Sequence, residues 1–441
     1  MAKRAALAWH LLKNTLGHLL KSDASLLLTQ SFFMLRWLLF FLFVILAEVY
    51  AYQAFKTVTR SYWFLAAYIT TSLLVDFFVI YQFTQFDRAV GQTRLTLLTF
   101  GLLLVTFMPK LVVFVVLFTE DVVRVMIALT RWVFGTQHES ILVERRKFVS
   151  VIALGLAAVP FLSLAYGMIR GKYNFRVIRQ SVEFDDLPDS FDGLTITHLS
   201  DIHSGSFDNP DKIRYAIDLI NQQQTDVVLF TGDIVNAKAD EMHPWVDIFR
   251  EIHKPRFGKF SVLGNHDYGE YLDWKSQREK LENFEAIKDL HRQIDFKLLL
   301  NEHVVLENGA DRVAIVGVEN WGHNFKKAGD LEKAANGLSA ADFKIVLSHD
   351  PSHWEHEVKD HPGHFQLTLS GHTHGMQFGI DVPGLKWSPV QYIYKQWAGL
   401  YENVGRYVYV NRGFGFHAYP GRVGIWPEIT VLELKKRTNT A

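Results

Sequence analysis

Two kinds of hydrophobic pattern divide the chain. Before about residue 170, apolar residues run almost unbroken through four stretches, at 32–54, 62–84, 95–118 and 148–169. Each stretch is longer than the roughly 20 residues that an α-helix needs to cross a bilayer. None shows the polar face that a helix in a soluble bundle presents to water. The pattern therefore predicts four transmembrane helices.

The segment 120–135 allows two interpretations. Its apolar residues recur at helical spacing, with Arg124 and Arg131 on the opposite side. It either lies along the membrane interface as an amphipathic helix, or it extends the third span beyond Pro109. The sequence leaves both open. The first apolar stretch has no small-residue cleavage site, so no cleavable signal peptide is expected.

Beyond about residue 190, short apolar runs alternate with amphipathic stretches. Strand-like runs occupy 194–200, 226–232, 259–264, 312–318, 344–349, 366–371, 406–416 and 428–435. Helical stretches lie near 209–223, 241–253, 270–292, 327–338 and 351–358. Strands that alternate with helices predict an α/β domain with a mixed sheet. The predicted organisation is a membrane region over 1–170, a polar linker over 171–190 and a second domain over 191–441.

Charge separates the same two parts. Residues 1–180 contain 19 Lys/Arg and 8 Asp/Glu, whereas residues 181–441 contain 27 and 38. The acidic second part argues against a nucleic-acid-binding surface there, because phosphate backbones require clustered Lys and Arg. The chain has no cysteine, so a metal site would use His, Asp, Glu or Asn. Nothing in the sequence indicates an oligomeric state.

The distribution of basic residues gives an expected orientation. With four spans, ten Lys/Arg fall on the side of the two termini and seven on the other. Because cytoplasmic flanks are enriched in positive residues, we expect both termini and the second domain in the cytoplasm of a multi-pass cell-membrane protein.

Metal-ligand residue types follow five of the predicted strands. They stand as Asp201-Ile-His203, Gly232-Asp233, Gly264-Asn265-His266, His349-Asp350 and Gly371-His372-Thr-His374. In open α/β sheets, ligands bind at the carboxyl ends of strands, so these five loops are expected to converge. His, Asp and Asn suit divalent ions such as Mn, Fe or Zn. Two such ions need a bridging group, and Asp233, central in the series, is the expected carboxylate bridge. His266 is the candidate general acid for the leaving oxygen.

The five blocks resemble those of the calcineurin-like metallophosphoesterase superfamily. They are SDIH (200–203), GDIVN (232–236), GNHD (264–267), SHDP (348–351) and GHTHG (371–375), in the family order. The resemblance covers about 190–436. It implies a four-layer α/β (α+β) fold, a β-sandwich flanked by helices, with a dinuclear metal centre. By resemblance, Asp201, His203, Asp233 and His374 would bind one ion, and Asp233, Asn265, His349 and His372 the other. His266 would be the proton donor.

Two further features refine the resemblance. YVYVNRGFGF (407–416) and PEITVLEL (427–434) are similar to the branch with an N-terminal transmembrane region. Many family members have Asp, often followed by Arg, where this chain has Asn236-Ala237, and that carboxylate can orient the donor histidine. Its replacement favours a diesterase or pyrophosphatase over a protein phosphatase.

Some residues outside the five blocks are candidates for substrate binding. Arg412, His417 and Arg422 lie in a Gly- and aromatic-rich loop and could contact a substrate phosphate. The segment 386–401 is rich in Trp and Tyr, which favour membrane interfaces. It is either a surface for lipid or an ordinary packed loop.

The sequence therefore predicts a membrane-anchored hydrolase with two divalent ions. Its expected reaction is cleavage of a phosphodiester or pyrophosphate bond, in a lipid or lipid-linked substrate, by metal-activated hydroxide. The alternative is a membrane sensor or transport partner whose phosphoesterase domain is regulatory or inactive. A missing ligand would favour that alternative, and all eight candidate positions, seven ligands and one acid, are present.

Overall fold

Four long apolar helices open the structure. The computed structural model describes residues 35–36, 38–134, 142–323 and 325–437, so the N-terminal tail and the first residues of the predicted first span lie outside the described residues. The helices are α1 (Leu38–Val58), α2 (Tyr62–Thr84), α3 (Arg94–Phe134) and α4 (Leu142–Ile169). By length and composition, each could cross a membrane. This confirms the four predicted span-length helices.

Helix α3 decides between the two interpretations of 120–135. It continues for 41 residues, through Pro109, to Phe134. The segment therefore continues the helix of the third predicted span, and the expectation of a separate helix over 120–135 is wrong. At 1.5 Å per residue, α3 is about 60 Å long, roughly twice the thickness of a hydrocarbon core. Proline is tolerated inside a membrane helix where neighbouring groups satisfy the freed backbone.

The described residues form two compact units. The first combines Met1–Leu73 with Thr106–Phe161, as far as these are described. Within it, Nζ of Lys110 lies 2.5 Å from Oε2 of Glu48 and 2.6 Å from Oγ of Ser72. Charges inside an apolar helix bundle are costly unless they are paired. The pairing of Lys110 therefore joins helices within this unit.

The second unit combines Leu74–Val105 with Leu162–Ala441 and contains two six-stranded sheets. The strands are β1 (Arg176–Phe184), β2 (Leu194–Leu199), β3 (Val227–Phe230), β4 (Lys259–Ser261), β5 (Lys297–Leu298), β6 (Glu302–Asn308), β7 (Asp311–Gly317), β8 (Phe343–Leu347), β9 (Leu367–Ser370), β10 (Ile380–Val382), β11 (Leu385–Trp387), β12 (Gly399–Asn403), β13 (Arg406–Val410) and β14 (Glu428–Lys436). One sheet has the order β1-β14-β2-β3-β4-β5 and the other β12-β13-β9-β8-β7-β6. Strands β10 and β11 form a separate hairpin.

Five helices flank these sheets: α5 (Pro210–Asn221), α6 (Val246–Arg250), α7 (Gln277–Gln293), α8 (Leu331–Ala334) and α9 (Ser352–His356). Side chains of α5, α6 and α7 pack on the first sheet, and those of α8 and α9 on the second. A third apolar cluster joins the facing sides of both sheets, through residues such as Ile196 and Ile315. Stacked sheets bury their apolar faces in this way. The predicted four-layer sandwich, preceded by helices, is confirmed.

The predicted linker needs a correction. Within 171–190, residues 176–184 form β1, which pairs in parallel with β14 along nine residues. The error arose because only the last part of this strand has its alternate side chains buried, Val182 and Phe184. Before Val182 the side chains of this strand are exposed or only partly buried, so its sequence lacks the alternation that marks a half-buried strand. Residue 176 therefore already belongs to the sandwich.

Candidate metal centre

Strand ends from both sheets deliver the candidate ligands to one place. Strands β2, β3 and β4 are neighbours and parallel, as are β8 and β9. Their carboxyl ends therefore lie at a common edge of each sheet. The loops that follow contain all seven predicted ligands, which are Asp201, His203, Asp233, Asn265, His349, His372 and His374. The structure brings all seven together.

The backbone at these positions is unusual. Positive φ angles occur at Asp201 (55°), His203 (48°), Asp233 (60°), His372 (68°) and His374 (49°). A left-handed conformation costs a non-glycine residue roughly 1 kcal/mol or more, and such residues cluster at functional sites. The cost must be offset by the surrounding packing. These five positions therefore hold their side chains in an arrangement that local preference alone would not select.

One group of donors comprises Asp201, His203 and His374, whose ligand atoms lie within 4.8 Å of one another. Nε2 of His374 is 3.2 Å from Oδ1 of Asp201 and 3.0 Å from Nε2 of His203. All three side chains are buried. Two imidazole nitrogens that face each other beside a carboxylate are a suitable donor set for a divalent ion.

A second group comprises Asp233, His349 and His372, again within 4.8 Å. Oδ2 of Asp233 is 3.1 Å from Nε2 of His349. Oδ1 of Asn265 lies 2.8 Å from Nδ1 of His372, so the Asn265 amide borders this group. The second predicted set of ligands is therefore assembled from four different strand ends.

Asp233 connects the two groups. Its Oδ2 atom, 3.1 Å from Nε2 of His349, is also 3.5 Å from Nε2 of His203. Its Oδ1 atom accepts a 2.8 Å hydrogen bond from the backbone N–H of His266. One buried carboxylate thus lies between a ligand of each group, which is the position that a bridging ligand requires.

Electrostatics at the centre favours a bound cation. Burial alone would raise the pKa of Asp201, yet His374 and His349 hold that pKa below its usual value. Burial lowers the pKa of His349, but the charge of Asp233 overcomes this and raises it to about 10. The buried carboxylates therefore hold a positive charge strongly, and a divalent cation can take the place of protons there. The donor set thus fits two divalent ions.

Neighbouring groups fix the orientation of the histidines. Nδ1 of His203 donates to Oδ1 of Asn236 at 3.0 Å, and Nδ1 of His349 donates to the backbone oxygen of Thr231 at 2.7 Å. In both rings, Nδ1 is thereby engaged, so Nε2 is the atom that faces the centre and can serve as a metal ligand. Partners of this kind are typical of metal-binding histidines.

His266 lies beside the centre and is held by the backbone. Its Nδ1 donates to the carbonyl oxygen of Asn236 at 2.7 Å, and its ring centroid is 4.9 Å from that of His203. Burial lowers the pKa of His266, while Asp233 acts in the opposite direction. The side chain of Asn236 contacts His203, and its main chain orients His266. Orientation of His266 therefore does not require a carboxylate at position 236.

The three residues predicted to contact substrate occupy different positions. Arg412 is buried and makes ion pairs with Asp381 and Glu428, each at 2.6 Å. Arg422 is fully buried, and Nη2 lies 3.1 Å from Nδ1 of His374. His417 is half-buried and stacks on His203, with ring centroids 5.0 Å apart. Of the three, only His417 lies against the centre with part of its surface exposed.

Two tyrosines at the centre were not identified from the sequence. The hydroxyl of Tyr271 accepts a 2.7 Å hydrogen bond from Nδ2 of Asn265. The hydroxyl of Tyr394 lies 2.8 Å from Nε2 of His372. Tyr271 follows the third block by only a few residues. Tyr394 belongs to the aromatic segment 386–401, and the Trp- and Tyr-rich composition of that segment was the signal that could have identified it.

The loop between α2 and α3 also reaches this region, within the second unit. Nε2 of Gln92 lies 3.3 Å from Oγ of Ser206, and its Oε1 accepts from the backbone N–H of Ala418 at 3.3 Å. Nζ of Lys238 donates to the backbone oxygen of Ala89 at 3.0 Å. Ala418 adjoins His417, so this loop braces the rim of the metal centre.

Comparisons with known proteins agree with this architecture. Residues 35–172 match the family model of the probable calcineurin-like phosphoesterase transmembrane domain, and residues 194–376 match that of the calcineurin-like phosphoesterases. A transmembrane protein with metallophosphoesterase domain from Danio rerio is 28% identical over 291 residues, which are 65% of this chain and 63% of that protein.

Two bacterial relatives extend the comparison. The uncharacterized metallophosphoesterase YkuE of Bacillus subtilis is 27% identical over 299 residues, 66% of this chain and 98% of YkuE. The UDP-2,3-diacylglucosamine pyrophosphatase LpxG of Chlamydia trachomatis is 27% identical over 273 residues, 51% of this chain and 78% of LpxG. The two family models together account for the helices and the metal centre. The chain belongs to the calcineurin-like phosphoesterases, in the group whose phosphoesterase domain follows a transmembrane domain.

Proposed function

We propose that this protein is a membrane-anchored, metal-dependent hydrolase that cleaves a phosphodiester or pyrophosphate bond. The observation that supports the proposal most strongly is the position of Asp233. Its Oδ2 atom lies between His203 of one donor group and His349 of the other. A single ion would not require a carboxylate placed between two such groups.

The donor sets assign the residues of two ion sites. Asp201, His203, Asp233 and His374 would hold one ion, and Asp233, Asn265, His349 and His372 the other. When bound, the two ions supply Lewis acidity towards the phosphoryl oxygens and activate water. Mn, Fe and Zn are the candidate metals, because imidazole, carboxylate and amide ligands suit them and no thiolate is available. Family membership supports two ions per site.

His266 is the proposed general acid. Its Nδ1–H is committed to the carbonyl oxygen of Asn236, so Nε2 is the atom that can hand a proton to the leaving oxygen. The bond from its own backbone N–H to Oδ1 of Asp233 places the ring beside the proposed bridge. A general acid must lie within hydrogen-bonding reach of the leaving group. The backbone supplies this placement.

His417 is the proposed substrate contact from the C-terminal loop. It stacks on His203, and its ring centroid is 4.6 Å from that of His266. Its partly exposed ring can donate to a phosphoryl oxygen. Arg412 and Arg422 are proposed to position other residues rather than to contact substrate. Asp381 and Glu428 neutralise the charge of Arg412, and Arg422 lies against His374, a proposed ligand.

A lipid or lipid-linked phosphate is the proposed substrate class. Four span-length helices precede the domain, so a bilayer is always near the site. LpxG, a relative, is by its name a pyrophosphatase of a diacylated sugar nucleotide. We place the catalytic domain in the cytoplasm, because more basic residues flank that side. Protease accessibility in sealed, right-side-out and inverted vesicles would test this orientation.

The catalytic proposal can be tested with the full chain in lipid nanodiscs. Bound metal is measured first, and hydrolysis of bis(4-nitrophenyl) phosphate is then followed with added Mn²⁺. We expect Asp233→Asn to abolish turnover and to lower the bound metal. Asp247→Asn is the matched control, since the Asp247 side chain is 90% exposed on α6. Equal activity in the wild type and Asp233→Asn would refute the proposal.

A further inference from the structure

The hairpin β10–β11 presents an apolar face to solvent. Val382 pairs directly with Leu385, and Ile380 pairs with Trp387. Because alternate residues of a strand share a face, Ile380, Val382 and Leu385 point the same way. These three side chains are 44%, 54% and 53% exposed. Neighbouring exposed apolar side chains on one small hairpin indicate a surface that meets something other than water.

The opposite face of the hairpin is fastened to the domain. Asp381 forms an ion pair with Arg412, and Arg412 in turn pairs with the fully buried Glu428. Lys386 donates to the backbone oxygen of Ala398. The hairpin is therefore held rigidly by its polar face, and this attachment is what turns the apolar face outwards.

The turn that follows the hairpin is also exposed, and the hydroxyl of its Tyr392 lies 3.5 Å from Nε1 of Trp387 on the hairpin. Tyr392 and Ile393 are 77% and 66% exposed. The next residue, Tyr394, turns inwards, and its hydroxyl lies 2.8 Å from Nε2 of His372. The exposed surface and the proposed metal centre are thus joined by two consecutive residues.

The same hairpin begins next to the end of α4. A Cβ atom at Gly167 would meet the Val423 side chain at 2.8 Å, and the hydroxyl of Tyr419 donates to the backbone oxygen of Leu164 at 2.6 Å. Val423 bridges to Phe378, two residues before the hairpin, and accepts from the backbone N–H of Gly379 at 2.9 Å. The hairpin is therefore one short connection away from the last turns of a membrane-spanning helix.

We propose that the hairpin face and the turn form a lipid-contact surface, which consists of Ile380, Val382, Leu385, Tyr392 and Ile393. Its partner is the bilayer into which α4 runs, because the hairpin begins two residues after Phe378, whose bridge partner Val423 packs on α4 at Gly167. The surface also has the aliphatic and tyrosine composition of a membrane interface. The surface would present the phosphate of a membrane lipid to the centre beside Tyr394. This last step rests on the proposed function, whereas the lipid contact does not.

The absence of cysteine from the chain allows a site-specific test. Val382→Cys is labelled with a nitroxide in the full chain, reconstituted in nanodiscs of phosphatidylcholine and phosphatidylglycerol. Val404→Cys is the matched control. Val404 is an 87% exposed valine in the turn between β12 and β13, at the edge opposite the strand ends of the metal centre. Collision of each label with oxygen, enriched in lipid, and with a water-soluble nickel chelate is measured by electron paramagnetic resonance.

We expect the ratio of oxygen to nickel collisions to be several-fold higher at Val382 than at Val404. Equal ratios would overturn the proposal. Exclusion of the nickel chelate from the label at Val382 in native membranes but not in nanodiscs would also overturn it, because that result indicates a protein partner. Hydrolysis of bis(4-nitrophenyl) phosphate by both labelled proteins is measured in parallel. The unlabelled wild type is assayed beside them. Absence of hydrolysis by the wild type would refute the proposed function, whereas the collision ratios would still decide the lipid contact.

Discussion

The backbone carbonyl oxygen of Asn236 accepts a 2.7 Å hydrogen bond from Nδ1 of His266. The side chain of the same residue accepts from Nδ1 of His203 at 3.0 Å. One residue therefore orients both a proposed metal ligand and the proposed acid, through different atoms. The change from Asp to Asn at this position removes a charge from the His203 contact and leaves the His266 contact intact.

This division of roles predicts different effects of two substitutions. Asn236→Ala removes the partner of His203, so we expect metal affinity to fall about 10–100-fold, the usual consequence of losing a group that supports a ligand. Asn236→Asp keeps an acceptor for His203 and the backbone bond to His266, so metal affinity should be retained. Metal titration of both variants, with activity measured at saturating Mn²⁺, checks the expectation. Equal affinities for the two variants would contradict it.

Gln92 tests whether the loop between α2 and α3 supports the segment that contains His417, the proposed substrate contact. Gln92→Ala leaves the backbone N–H of Ala418 without its acceptor and frees Ser206 Oγ from one contact. Loss of a hydrogen bond of about 1 kcal/mol corresponds to a roughly five-fold effect. We expect KM for a soluble phosphodiester to rise by that order, with metal affinity unchanged, because the metal ligands keep their own partners.

Arg88→Ala is the control for this loop. Arg88 pairs with Asp273 at 3.7 Å, and both side chains are more than 60% exposed. Exposed ion pairs of this kind contribute little, so KM should stay close to that of the wild type. A similar rise in KM for both variants would mean that the loop acts only through its general stability.

The strand ends of the metal centre were predictable because two regularities coincide. Buried parallel strands have continuous apolar sequences, and the residues after them must meet at one edge. The sequence alone therefore sufficed to place Asp201 and Asp233 together, because they follow the neighbouring parallel strands β2 and β3, whereas His349 follows a strand of the other sheet. Composition was likewise sufficient for the membrane helices, because their apolar runs are long enough to cross a bilayer.

Other features had no such local pattern. Strand β1 has only exposed or partly buried side chains before Val182, so it resembled a linker. The hairpin β10–β11 turns an apolar face to solvent, whereas the apolar face of a strand is usually buried. Tyr271 and Tyr394 reach the centre through loop geometry, which periodicity does not encode. Pro109 obscured the continuity of α3, because tertiary context overrode its usual effect.

Gly264 gives a direct test of how tightly the centre is packed. A Cβ atom at this position would overlap Oδ1 of Asp233. We therefore expect Gly264→Ala to displace the proposed bridge and to reduce turnover by at least about ten-fold, since small misplacements at a reacting centre are costly. Gly155→Ala in α4 is the control, because a Cβ there meets nothing within 4 Å. Turnover and bound metal are measured in both variants. Unchanged turnover in Gly264→Ala would show that the bridge position is not required.

His291 predicts a pH dependence of stability that is separate from the metal centre. It is fully buried on α7, its ring stacks on Phe230, and Nδ1 lies 2.8 Å from Oγ of Ser261. Burial lowers its pKa to about 3, against about 6.5 in the unfolded chain. A histidine with a depressed folded-state pKa contributes stability that is complete above about pH 6.5 and is lost as the pH falls towards 3.

At pH 5 the loss should amount to about 2 kcal/mol relative to pH 7. His291→Gln keeps a polar group near Ser261 but cannot take up a proton. Between pH 7 and pH 5, the free energy of unfolding of this variant should therefore fall by about 2 kcal/mol less than that of the wild type. His243→Gln, at an exposed position, should follow the wild type. Denaturant unfolding of the full chain in detergent can be followed by tryptophan fluorescence, to which Trp245 contributes from the same apolar cluster as Leu290, the neighbour of His291. Parallel pH profiles for the wild type and His291→Gln would show that His291 is not the group that destabilises this cluster in acid.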